Sequence, residues 1–148
     1  MTAYLCASRS RARHGAVLSV IFAMLAIAGP CWGGNYLDRC FLIVRQATED
    51  SEYLQNRLGN RELARYVHKM AEARLGAARD MTIPSEVTQA HPHLLLMLEN
   101  FERASDAAVD GEADRFVTYY RRARDEEEIF RSILRQLGFP LPDEARKK

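Results

Sequence analysis

The side chains able to do chemistry in this chain are few, and their spacing argues for binding rather than catalysis. Four histidines occur: His14, His68, His91 and His93. His91 and His93 flank Pro92 and, two residues apart on a helix, point to different faces. His68 and Glu72 are four residues apart, a spacing that lets two side chains on one helix face share a metal ion. His68 follows Val67 on an apolar stripe, however, which places it at the edge of a core or outside it. The Glu-x-x-His pairs of di-iron bundles are missing, as is the Cys-x-x-Cys-His that attaches haem. There is no Gly-x-Ser-x-Gly nucleophile turn. Glycines are scattered singly apart from Gly33-Gly34, so no phosphate-cradling loop is present. No catalytic residue, metal or cofactor is assigned, and a non-enzymatic role is expected.

Three charged or titratable residues form a more specific constellation. Glu127 falls on an apolar helical stripe between Ala123 and Phe130, and Arg74 falls on another between Met70 and Ala77. Counting turns along an antiparallel bundle brings both near the level of His91. A buried carboxylate must be paired or it neutralises. The chain can therefore build a polar layer in which Glu127 pairs with Arg74 and His91, able to hold a ligand or a metal. The competing reading is structural. Arg124 with Glu128, and Glu127 with Arg131, have the i,i+4 spacing of a solvated helix face, which would put Glu127 at the rim. Tyr66, Tyr119 and Tyr120 are candidate partner-binding anchors; core or boundary packing with the hydroxyl outward is the alternative.

These residues need helices to position them, and the periodicity supplies four. Leu37, Phe41, Val44, Thr48, Ser51, Leu54 and Leu58 recur every three or four residues over 36–58. Leu63, Val67, Met70, Arg74 and Ala77 do so over 61–80, and Leu94, Leu98, Phe101 and Ala108 over 92–110. Phe116, Tyr120, Ala123, Glu127, Phe130, Leu134 and Leu137 do so over 112–137, alternating four and three. No run alternates at period two, so strands are not expected. Gly59-Asn60, Gly111 and Gly138 mark breaks, with Pro140 and Pro142 beyond the last. Thr82, Ser85 and Glu86 look like start signals for the third helix, which is expected to begin near Pro84 and to kink or break at His91-Pro92. Short connections favour antiparallel neighbours. The expected fold is all-α, an up-down-up-down four-helix bundle. The alternative is a three-helix bundle with a long first helix fused across Gly59.

The N-terminal segment sets where such a bundle would work. Arg9, Arg11 and Arg13 precede an apolar run from Gly15 to Gly29, small residues follow at Cys31, Gly33 and Gly34, and the first acid is Asp38. That is the pattern of an export signal. Residues 1–34 are read as a signal peptide or N-terminal anchor, 35–139 as the bundle and 140–148 as a tail. Cleavage is expected after Gly33. Lipidation at Cys31 fits poorly, because Pro30 stands where a small residue is needed. Retention as an anchor would use residues 15–33, close to the ~20 a spanning helix needs, with the domain again outside the cytoplasm.

Removing that segment changes the totals. The chain has 21 Lys+Arg and 20 Asp+Glu; without Arg9, Arg11 and Arg13 the remainder has 18 basic against 20 acidic residues. A slightly acidic domain lacks the basic stripe of a nucleic-acid binder. Of three cysteines, Cys6 and Cys31 leave with the segment, and Cys40 is read as a small buried apolar residue. If the segment stays, Cys31 and Cys40 can pair in an oxidising compartment. The sequence thus leads to an exported, periplasmic or secreted helical accessory or interaction module with an unidentified protein partner.

Overall fold

The computed structural model describes residues 32–139 and residue 141, with side chains from residue 36 onward. The expected export segment (but for its last three residues), its Cys31 and the basic tail ending in Lys147 and Lys148 lie outside the described residues. Four helices make up most of the described chain: α1 Trp32–Gln55, α2 Arg61–Arg79, α3 His91–Asp110 and α4 Ala113–Gln136. No strand occurs among the described residues. Gly33 and Gly34 are helical here, so cleavage after Gly33 would leave α1 nearly intact. Among the described residues no helix is long and apolar enough to cross a membrane.

Each break has a local cause. After α1 the chain turns through Arg57 and Asn60, whose N–H groups donate to the carbonyls of Leu54 and Arg57, both at 2.8 Å. The Asn60 side chain then accepts from the Leu63 N–H at 3.0 Å and caps α2. This turn separates α1 from α2 and removes the fused three-helix alternative. Gly111 ends α3 with a left-handed φ of 82°, and the Glu112 N–H donates to the Ala107 carbonyl at 2.8 Å. Gly138 repeats this at the end of α4, where the Phe139 N–H reaches the Leu134 carbonyl at 3.0 Å. The turn folds Leu141 back into the core, two residues past the expected end of the bundle.

The third helix begins later than its start signals suggest. Ser85–Val87 forms only a short 3-10 turn, and α3 starts at His91 with Pro92 in its first turn. In the first turn the N–H that proline lacks has no partner to lose. Proline also disfavours helical backbone in the residue before it. A start at His91 meets the first constraint, with His91 itself held helical ahead of Pro92.

Cross-helix pairs fix the directions. His93 meets Glu126 and Phe101 meets Tyr120, so α3 and α4 run antiparallel. His68 meets Ser105 and Arg79 meets Glu99, so α2 and α3 do as well. Phe41 meets Phe130 and Thr48 meets Glu127 between α1 and α4. This is compatible with an up-down-up-down four-helix bundle. Helix α3 packs most extensively, against α4 and α2, while α1 packs on α2 and α3 and approaches α4 mainly through side chains.

The core falls into two clusters. One holds Val44, Leu94, Met97, Leu98, Phe101, Phe130 and Leu134; the other holds Leu54, Ala64, Val67, Ala104, Ala107, Ala108 and Phe116. The second is rich in alanine, which lets α2 and α3 approach closely. Tyr120 packs against both. At the seam α1 and α2 carry polar residues: Asp50 and buried Ser51 on one, His68 and buried Arg74 on the other.

Candidate functional site

A concavity lies in the gap between α1 and α4. It encloses about 480 Å³ and opens to solvent. Helix α1 contributes Asp38, Phe41, Leu42, Arg45, Thr48, Glu49 and Glu52. Their spacing of three and four residues makes a second stripe beside the buried one formed by Leu37, Cys40, Val44, Ala47, Ser51 and Leu54. Helix α4 contributes Arg124, Glu127 and Arg131, again on one face. A smaller depression of about 290 Å³ shares those three residues and adds Asp125 and Glu128. The walls carry both signs of charge. Phe41, half-buried, stacks edge-on against Phe130 with centroids 6.4 Å apart, and Leu42 stands 48% exposed.

Glu127 anchors the α4 wall. It is only 5% exposed, yet its carboxylate is fully partnered. Arg124 donates to Oε2 at 2.6 Å and Arg131 to Oε1 at 2.9 Å. Thr48 donates to Oε2 at 3.5 Å from across the groove. Two cations and a hydroxyl thus surround a buried carboxylate at the groove's edge.

The three residues expected to form one polar layer are all buried, but they do not meet. Arg74 pairs with Asp50 on α1, not with Glu127, and its Nε is buried without a hydrogen-bond partner. Glu127 points to the opposite side of α1, into the groove. His91 Nδ1 is hydrogen-bonded to the Tyr36 hydroxyl at 2.7 Å. Burial holds the His91 imidazole below its usual value and pushes the Tyr36 hydroxyl well above its own. The single layer is therefore replaced by three separate pairings. Arg74 and His91 find their partners on α1, and Glu127 finds its two arginines on its own helix. Of the two i,i+4 pairs expected on α4, Glu127 with Arg131 forms, and Arg124 turns to Glu127 rather than Glu128.

The candidate tyrosines separate. Tyr120 stacks on Phe116 with centroids 5.8 Å apart and lies 6.1 Å from Phe101. Its hydroxyl is pushed up by burial. Tyr119 is half-buried, with the Arg122 guanidinium 5.6 Å from its ring. Only Tyr66 projects freely, at 62% exposed. Cys40 is fully buried with a free thiol, pushed up to about 11 by burial, so it packs as an apolar residue.

The groove stripe of α1 is the feature that sequence reasoning missed. Its signal was present, in Asp38, Leu42, Arg45, Glu49 and Glu52 at helical spacing, but a mixed-charge stripe reads as ordinary solvated surface. No protein-family model matches this chain, and no curated protein or solved structure is significantly similar to it.

Proposed function

We propose that this chain is an exported, non-catalytic binding module that works outside the cytoplasm and receives a protein partner in the groove between α1 and α4. The observation that carries the reading is the groove itself: about 480 Å³ of open space flanked by two helices, with exposed Leu42 in its lining and charges of both signs on its walls. Such a surface suits an amphipathic helix of the partner. Its apolar face would cover Phe41 and Leu42, and its flanking charges would meet Arg45, Glu49 and Glu52. Export rests on Arg9, Arg11 and Arg13, the apolar run to Gly29 and the small residues to Gly34.

Affinity capture of the full chain, expressed with its N-terminal segment, tests the reading against a Leu42→Glu variant. The expected result is a partner retained by the wild type and lost by the variant, from a compartment outside the cytoplasm. A partner retained equally by both would refute the groove. A chain found in the cytoplasm with residues 1–34 attached would refute export.

A further inference from the structure

We propose that His68 and Glu72 of α2, together with Glu102 of α3, form a site for one divalent first-row transition metal ion of the Zn²⁺ type. The proposal is independent of the groove. His68 sits just past buried Val67, Glu72 lies one turn further on, and Glu102 reaches across from the antiparallel helix. One ligand atom from each lies within 4.8 Å of the other two. The His68 Nε2 is 3.5 Å from a Glu72 oxygen, and its Nδ1 is 3.8 Å from a Glu102 oxygen. These separations are too long for good hydrogen bonds. Three strong donor groups therefore converge without good hydrogen bonds to one another.

Around a tetrahedral ion with bonds of about 2.0–2.2 Å, donors lie roughly 3.3–3.5 Å apart. One ion takes one ring nitrogen: Nε2 binds it beside Glu72, and the Glu102 side chain rotates toward it from its place beside Nδ1. The imidazole favours a transition metal over Ca²⁺ or Mg²⁺, which prefer all-oxygen sets. Three protein donors also leave a fourth position for water. The Ser105 hydroxyl, buried on α3, lies 3.4 Å from His68 Nδ1 and is itself fixed by donating to the Glu102 carbonyl at 2.7 Å. On Glu72, Lys69 occupies Oε2 at 2.7 Å and leaves Oε1, the oxygen facing His68. Because α2 and α3 both contribute, the bound ion would clamp the two helices together.

Titration calorimetry of Zn²⁺ into the metal-stripped full chain is the test. The expected result is a saturable site that His68→Gln and Glu102→Gln each weaken by about tenfold or more. Lys69→Met removes a competing cation and should tighten it. His93→Gln, whose imidazole pairs with Glu126 elsewhere, should leave it unchanged. Circular dichroism melts of the metal-free variants confirm that each is folded. Absence of a saturable site, or a site that neither His68→Gln nor Glu102→Gln weakens, would overturn the proposal. So would an equal loss on His93→Gln.

Discussion

Glu127 should be coupled to Arg131, weakly to Arg124, and not at all to Arg74. Glu127 is 5% exposed, and its carboxylate accepts from two guanidinium groups on its own helix. Hydrogen bonds involving a charged group contribute about 1.5–3 kcal/mol when sheltered, whereas exposed ion pairs contribute only about 0.2–1 kcal/mol. The Arg124 side chain is 45% exposed and that of Arg131 only 23%. Glu127→Gln keeps an acceptor oxygen and the side-chain volume but loses the charge, so the expected destabilisation is about 1–2 kcal/mol, mostly through Arg131. In double-mutant cycles read by urea unfolding, Glu127→Gln with Arg131→Met should give a coupling near 1 kcal/mol, and with Arg124→Met less than about 0.5 kcal/mol. Glu127→Gln with Arg74→Met should be additive within about 0.5 kcal/mol. A larger Glu127–Arg74 coupling, or none between Glu127 and Arg131, would refute the pairing.

Three further outcomes follow from the packing. His91 is buried and held below its usual value. The unfolded chain therefore takes up its proton first as pH falls, and His91 should cost stability progressively from about pH 6.5 downward; His91→Leu should flatten that slope in urea melts, and an unchanged slope would count against it. The Cys40 thiol, buried and pushed up to about 11, should resist a disulfide reagent at pH 8 until urea unfolds the bundle, as read by mass spectrometry of the Cys40 peptide. Rapid native labelling would contradict its burial. Gly111 holds a φ of 82° with only the Arg61 side chain near its missing Cβ, at 3.8 Å, so Gly111→Ala should cost about 1 kcal/mol through backbone strain alone.

The sequence made the helices legible, but not which way each one faces. Gly111 and Gly138 mark helix ends in both sequence and structure, because a left-handed residue at a helix terminus favours glycine. On α3 the expected stripe of Leu94, Leu98, Phe101 and Ala108 is buried throughout. On α2 the structure turns the helix so that Ala64, Ala71 and Ala78 face inward, while Leu63 and Met70 sit at the boundary and Ala77 is exposed. Large side chains draw a periodicity reading toward themselves, but close helix packing favours the small ones. The same rotation on α1 buries Cys40 and Ala47 and leaves Phe41 and Thr48 at the groove. The burial of Arg74, His91 and Glu127 follows from their stripes, but their partners do not. A turn count gives the level of a residue along a bundle, not its direction around the helix. Asp50 and Tyr36 therefore took the partners that the layer reading had assigned to Glu127.

The most direct measurement for the groove as a docking site is site-specific photocrosslinking in cells that export the chain. A photoreactive side chain at Leu42 lies in the groove, and one at Gln89 lies exposed in the connection before α3. A discrete crosslinked partner is expected from position 42, outside the cytoplasm, and none from position 89. Equal crosslinking from both positions, or none from position 42, would contradict docking in the groove.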